Sequence, residues 1–391
     1  MFNENEKEKE SMKIQLNVND ILTPLVNATS VVGTKNSIAI LSCVMIEVGK
    51  NNTLIITASD GSQWVSTKAT IIETDIAEGT KFCIEAKDLK QALSNLSGRI
   101  VELNFDETAH TMTCAFANGK FTLPYLSADE YPQSTPIEGD DKVEYILDAP
   151  KIARMIAQTN YAMANDPLRM VMNGAYFDFH KDDLSIVASD GHKLALCQDK
   201  TIKNEDGEDK SFILMAKSAS ILSTLIDKEE GQIKIAFNGN NVCINNQSFR
   251  LTAKLIEGRF PNYNAVIPKD SDKRVKVNKD DILSAMKRIL PMSSTTTEIV
   301  KFIFSPNLLT LFCEDVDYSK SASETMQSDY PNQADFTIGF KGSAVVQSLQ
   351  AIEGDEVVIR MTESSRAAIF TSATTDETYS HIALIMPILV D

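Results

Sequence analysis

Positive charge is scarce in this chain: 38 Lys and Arg stand against 54 Asp and Glu, a formal charge of −16 that on its face argues against binding a polyanion such as DNA. Long apolar runs are missing as well. The longest are strand-sized, as at 382–386, so no membrane helix is predicted and the chain is expected to be soluble. Six cysteines (Cys43, Cys83, Cys114, Cys197, Cys243 and Cys313) form no C-x-x-C pair, which excludes a disulfide scaffold; they are expected to be reduced and half-buried. The four histidines, His110, His180, His192 and His381, have neither H-x-x-x-H nor H-E-x-x-H spacing, so no metal site is predicted. Nor do the 16 glycines build a G-x-G-x-x-G or a G-x-x-x-x-G-K-[ST] loop, and no cofactor is expected. Residues 1–11 are rich in Glu, Lys and Asn without an apolar stretch; they are read as a disordered tail rather than a signal peptide or anchor.

What the chain does have is an internal repeat. Its 391 residues, 43% hydrophobic and 24% charged, are those of a globular protein of several domains. Three segments open alike, with a polar cap and apolar residues at helical spacing: Ile21, Leu22, Leu25 and Val26 after Asn19 or Asp20; Ile152, Met155 and Ile156 after Asp148; Ile282, Leu283 and Met286 after Asn278. Aligning Ile21, Ile152 and Ile282 gives offsets of 131 and 130 residues. Second helices are predicted around Lys87, Lys217 and Lys341, spaced 130 and 124. Ala-Ser-Asp-Gly occurs at 58–61 and again at 188–191, also 130 apart. Each repeat closes on an aromatic or apolar residue followed by proline: Tyr131-Pro132, Phe260-Pro261 and Met386-Pro387. The fold class is therefore α+β, three copies of one unit with two helices on antiparallel strands, among them 53–57, 184–188 and 308–312. The predicted divisions are a tail at 1–11 and domains at 12–135, 143–268 and 272–391.

Ser189-Asp190-Gly191-His192 invites a hydrolase reading, with Asp190 and His192 as the acid and base. Triad members meet through the fold rather than along one turn, and Asp-Gly after a strand is hairpin chemistry. The twin at 58–61 continues Ser-Gln-Trp without His, so the turn belongs to the repeat. Glu257-Gly258-Arg259-Phe260-Pro261-Asn262-Tyr263 is turn-rich and aromatic, suited either to a packed linker or to the wall of a peptide groove. With no nucleotide, metal or nucleophile signature, the chain reads as a binding or scaffold protein rather than an enzyme. A scaffold for proteins alone is the other alternative.

The repeat, the Ser-Asp-Gly-His-Lys-Leu turn, the Glu-Gly-Arg-Phe-Pro-Asn-Tyr segment and the Met-Pro near the C-terminus together resemble the β sliding clamp family of bacterial DNA polymerase III, from about Met12 onward. The resemblance implies three DNA-clamp domains forming half of a six-domain ring, a head-to-tail homodimer whose helices line a hole around duplex DNA. It implies a non-catalytic processivity factor, cytoplasmic and nucleoid-associated, away from membranes. Its implied partners are double-stranded DNA held topologically, DNA polymerase III and other polymerases, the clamp loader, and mismatch-repair and ligase-type proteins that dock short linear motifs. Carried over by position, the peptide pocket uses Met172, Gly191, His192, Lys193, Leu194, Pro261 and Val266, together with Leu384, Met386, Pro387 and Ile388. Ser189 and Lys193 replace the family's usual Thr and Arg, Ala265 stands where a basic residue is common, and Leu389-Val390-Asp391 replaces a shorter basic end; motif preference is expected to differ.

The ring reading also changes the meaning of the charge. Six helix-centred segments (13–36, 81–99, 148–170, 210–228, 273–288 and 336–352) carry +11, leaving −27 on the remainder. The DNA-facing candidates are Lys35, Lys87, Arg154, Lys217, Lys279, Lys287 and Arg288. Ring closure is expected to use edges near 104–118 and 302–304.

Overall fold

The computed structural model describes residues 12–33, 38–139, 141–204, 207–227, 229–332 and 334–390. The tail expected over 1–11, and Lys35 with it, lie outside the described residues. Contacts divide the chain into two compact units: 1–149 with 224–254, and 150–223 with 255–391. Six α-helices occur among the described residues: α1 (Val18–Thr29), α2 (Ala86–Ser94), α3 (Ala149–Thr159), α4 (Ala216–Ile226), α5 (Lys279–Ile289) and α6 (Gly342–Ala351). None is long and apolar enough to cross a membrane.

Local chemistry sets the helix ends. Asn278 caps α5 by accepting from Asp281 N at 3.0 Å; Asp280 and Asp281 sit in the first turn, Lys287 and Arg288 in the last, each sign at the favourable end of the helix dipole. The cap of α1 is Asn17, which accepts from Asn19 N at 3.0 Å, two residues before the position read from the sequence. The reason is that the strand Met12–Asn17 runs straight into the helix, so the side chain at the junction makes the cap. Apolar positions at helical spacing then turn inward: Ile21, Leu25 and Ala28 in α1, Ile282, Ala285, Met286 and Ile289 in α5. Helix α1 packs on α2, and α5 on α6.

In the first unit, thirteen antiparallel strands form one sheet. Strand 249–254, which closes the second repeat, pairs there with Gln63–Thr70 of the first, Phe249 opposite Thr67 and Thr252 opposite Trp64. The second unit holds an eight-stranded and a four-stranded sheet. In the larger of them Tyr379–Ile385, which closes the third repeat, pairs with Lys193–Asp199 of the second, Leu384 opposite Leu194. The same join is thus made twice, and it explains why two units emerge from a threefold repeat: the sheets run on from one repeat into the next.

Two strands that correspond to the joining ones lack such a partner from another repeat, and Val143–Asp148, Lys210–Met215, Lys273–Asn278 and Phe336–Lys341 are also outermost in their sheets. Lys320–Gln327 is an outer strand of the four-stranded sheet, paired only with Leu308–Asp315. Gly119–Leu126 pairs along its length with Thr111–Phe116, but on its other side only Tyr125 and Leu126 are paired. The regions expected to supply ring edges are interior instead. Ile299–Ser305, which contains 302–304, is paired on both sides, as are Ile100–Asp106 and Thr111–Phe116 around 104–118. Alternation of buried residues in a strand does not tell an edge from a middle position.

Below the four-stranded sheet, Phe302, Phe304, Phe340 and Phe370 are fully buried, with Phe302 edge-on to Phe340 at 5.2 Å. Five cysteines are buried rather than half-buried, and Cys243 alone is partly exposed. Burial pushes the thiols of Cys83 and Cys197 up to about 12 and that of Cys114 to about 11, so they hold no thiolate at neutral pH. A thiol reagent should therefore titrate one cysteine, Cys243, quickly in the native protein and all six after denaturation; fast labelling of several sites without denaturant would contradict this packing.

Candidate functional site

The Ser-Asp-Gly turns are built alike in both copies. Asp60 Oδ1 accepts from Ser62 N and Gln63 N at 3.0 Å each, and Asp190 Oδ1 accepts from His192 N and Lys193 N at 2.8 Å each. Gly61 and Gly191 sit at φ of +86° and +87°, a left-handed conformation that glycine adopts without strain. At residue 193, Lys193 Nζ donates to Asp190 Oδ2 at 2.7 Å. Burial works against ionisation of Asp190, yet the hydrogen bonds from the Lys193 side chain and the turn amides outweigh it and lower its pKa. Ser189 Oγ is spent on Lys193 O at 2.9 Å. No nucleophile and base meet here, so the hydrolase reading has no geometric support, and Lys193 braces the turn.

That turn forms one wall of an apolar cavity of about 180 Å³ in the second unit. Nine of the eleven residues carried over by position line it: Met172, Gly191, His192, Lys193, Leu194, Pro261, Val266, Leu384 and Met386. Leu194 and Leu384, opposite each other across the strand join, are each 3% exposed, whereas Met386 and Val266 are 41% and 52% exposed. The cavity thus has a closed floor and an open apolar rim. Met386 N donates to His192 O at 2.8 Å, tying the end of the last strand to the turn. Pro387 and Ile388 lie outside the lining. Ile388 N instead donates to Gly339 O at 2.8 Å, and a Cβ on Gly339 would fall 2.7 Å from Ile388 O and 2.5 Å from Val390. The changed C-terminus therefore lies along the four-stranded sheet, at a place only glycine leaves open.

Four lining residues were not among those carried over: Ser189, Phe260, Asn262 and Tyr263. Phe260 stacks on Tyr176 with ring centres 4.8 Å apart and 2° between planes. Tyr263 donates to Asp178 Oδ2 at 2.9 Å, and Asp178 lies 3.0 Å from His180 Nε2. The aromatic segment was visible in the sequence, but nothing in the order of residues ties Tyr263 to Asp178, 85 positions earlier. A guanidinium guards the turn: Arg169, held by Asp166 Oδ2 at 2.8 Å, reaches so close that a Cβ on Gly191 would lie 2.6 Å from its Nη1.

The related join in the first unit carries a different side chain at the equivalent position. Trp64 stands 130 residues before Leu194, and its indole Nε1 donates to Pro132 O at 2.9 Å while the ring is 8% exposed. The indole lines a separate cavity of about 340 Å³ together with Pro132, Phe249 and Thr252.

The cationic candidates differ in exposure and in the contacts they make. Lys87, Lys217 and Lys287 are exposed on α2, α4 and α5. Arg154 is held by Glu353, with Nε to Oε1 at 3.0 Å and Nη2 to Oε2 at 2.6 Å, and lies over the Tyr379 ring. Lys279 donates to Ile352 O at 2.9 Å, and Arg288 pairs with Glu324, Nε to Oε2 at 3.0 Å. As folded, the six helices carry +4; Lys13, Lys81, Arg274 and Lys276 are among the cations of the wider segments that sit on strands instead.

The fold is a sheet-joined α+β repeat with an apolar cavity of about 180 Å³ beside one of its strand joins. Family models for the DNA polymerase III beta subunit match in chain order: the N-terminal domain over 12–135, the central domain over 146–262 and the C-terminal domain over 264–388. This chain belongs to the bacterial DNA polymerase III beta subunit family, the β sliding clamps, which are processivity factors without catalysis of their own. Among its relatives, the beta sliding clamp of Pseudomonas aeruginosa is 26% identical over 359 residues, covering 91% of this chain and 95% of that one. That of Escherichia coli K12 is 25% identical over 356 residues, covering 90% and 94%. In fold it matches a sliding clamp from P. aeruginosa solved with griselimycin (TM-score 0.88, 24% identity, 97% of this chain and 100% of that one). It also matches the C. crescentus clamp solved with polyethylene glycol at a putative β-motif tethering region (TM-score 0.87, 23% identity, 97% and 99%).

The His180 cluster behind Tyr263 gives a pH dependence with a definite sign. Burial alone would lower the His180 pKa; Asp178, followed by Asp209 and Asp183, outweighs it and holds the imidazole above its usual value. The folded state then binds the proton more tightly than the unfolded one. That stabilisation is complete below the unfolded value of 6.5 and is lost as pH rises through the folded value. Urea midpoints should fall as pH rises through this window, and His180→Gln should remove that component; identical pH profiles for the two proteins would refute it.

Proposed function

We propose that two copies of this chain close head to tail into a ring around duplex DNA, and that the apolar cavity tethers replication and repair proteins by short linear peptides. The reading takes the chain as three clamp domains, 12–135, 143–268 and 272–391. It rests above all on the join made twice within the chain. In each case the strand that follows the turn of one repeat pairs with the closing strand of the next. Lys320–Gln327 is the corresponding strand of the third repeat and Gly119–Leu126 closes the first; neither has the partner from another repeat that these joins supply, the first being outermost in its sheet and the second paired on one side only at Tyr125 and Leu126. A second copy supplies the missing partner for each, a heterologous contact that closes when two copies complete a circle.

The cavity suits a peptide carrying apolar anchors. Leu194 and Leu384 form its floor, Met172 and Pro261 stand around it, and Met386 and Val266 can fold over an inserted side chain. In this role His192 shapes the groove and moves no protons. The partners inferred are DNA polymerase III and other polymerases, the clamp loader, and mismatch-repair and ligase-type proteins, at the nucleoid. DNA itself is held by topology. Lys87, Lys217 and Lys287 offer phosphate contacts without reading bases, while Arg154, Lys279 and Arg288 add charge from within their pairs.

Retention on DNA tests the ring. Loaded onto nicked circular duplex, the protein should stay bound and should be released once the circle is cut; equal retention on circle and linear DNA would refute topological binding. The pocket has its own test. Leu384→Ala with Met386→Ala should weaken a polymerase-derived linear peptide by about tenfold or more, measured by fluorescence anisotropy, as expected for losing two apolar anchors. Unchanged affinity would move the docking site elsewhere.

A further inference from the structure

Arg274 and Arg360 stand directly opposite each other on the antiparallel strands Lys273–Asn278 and Glu356–Met361. Cross-strand partners project from the same face of a sheet, and like charges in that position repel. Among the described residues neither arginine has an ion-pair partner, and the Arg360 Nε is buried without any hydrogen-bond acceptor. Burial, reinforced by the charge of Arg274, lowers the Arg360 pKa. A guanidinium is too strongly basic to escape by losing its proton, so both stay charged, with Arg274 exposed to solvent and the Arg360 Nε left without an acceptor.

Both arginines line a cavity of about 590 Å³. The acids in its wall are committed elsewhere. Glu353 is gripped by Arg154 through both oxygens, and Asp376 accepts from Thr378 N, Thr378 Oγ1 and Tyr379 N at 2.8, 2.8 and 3.2 Å. His381 is also in the wall, and burial pushes its pKa down to about 4, so it is neutral at physiological pH. Thr371 and Thr374 add hydroxyl donors. What remains unmatched is positive charge in a planar, forked form, beside donors that suit oxygen.

We propose that Arg274 and Arg360 form a binding site for a phosphoryl dianion, either inorganic phosphate or the terminal phosphate of a nucleotide. A tetrahedral dianion has enough acceptor oxygens to engage two guanidinium forks together, where a carboxylate can serve only one fully. Binding would end the repulsion across the strands and give the buried Nε its acceptor. The site is separate from the peptide cavity, with which it shares no lining residue.

The test is thermal unfolding of the full chain at constant ionic strength, with chloride replaced stepwise by inorganic phosphate or by adenosine monophosphate. The wild-type midpoint should rise saturably with at least one of them, and the anion acting at the lower concentration identifies the source. Arg360→Met and Arg274→Gln should each weaken the apparent affinity by about tenfold or more. In chloride alone both variants should be at least as stable as the wild type, since removing either cation ends the repulsion; a purely structural arginine would behave in the opposite way. If Arg360→Met does not fold, Arg274→Gln at its exposed position carries the same comparison. No saturable rise in the wild type with either anion, or an equal rise in the variants, would overturn the proposal.

Discussion

A β-strand at the rim of a sheet exposes a row of unpaired N–H and C=O groups, and a protein must cover, blunt or share that rim. Here sharing organises the molecule. The closing strand of one repeat completes the edge of the repeat before it, at 249–254 against 63–70 and at 379–385 against 193–199. Those pairings fuse the repeats into long sheets, while each helix pair covers an apolar face. The same rule leaves one outgoing edge at Lys320–Gln327 and one incoming edge at Gly119–Leu126. On the proposed reading a second copy supplies the partner that each of these two strands lacks within the chain.

The join also creates the site. The cavity forms where Leu194 and Leu384 meet across the shared strands, beside a turn whose shape comes from Asp190 and Gly191. The turn alone does not set the lining, because its twin at Asp60 and Gly61 has the same hydrogen bonds but is followed by Trp64, and the cavity beside it is lined by Glu47, Lys68, Pro132 and Phe249 among others. Asp178, by holding Tyr263 in the wall, links the cavity to the interior of its own unit.

Much of this was legible in the sequence because repetition is a long-range signal. Offsets near 130, the two Ser-Asp-Gly turns and the three aromatic-or-apolar prolines exposed the α+β repeat, and nine of the residues carried over from the family resemblance line one cavity. What stayed hidden depended on pairing in three dimensions. Alternation in 299–305 looks the same in an interior strand as in an edge strand, so the uncovered edges could not be read off. The Asp178–Tyr263 bond, the Arg154–Glu353 grip and the Arg274–Arg360 opposition join residues 85, 199 and 86 positions apart, with no pattern in the sequence to announce them. Charge was half legible. The helices are positive as expected, but at +4 rather than the +11 of the wider segments, since several of the cations belong to strands and ion pairs.

Completion of the two open edges by a second copy is the claim on which the rest depends. Imaging of purified particles by electron microscopy tests it most directly. The account predicts a closed ring of two copies with a central hole wide enough for duplex DNA. Single-copy particles, or open chains of copies that never close, would contradict it.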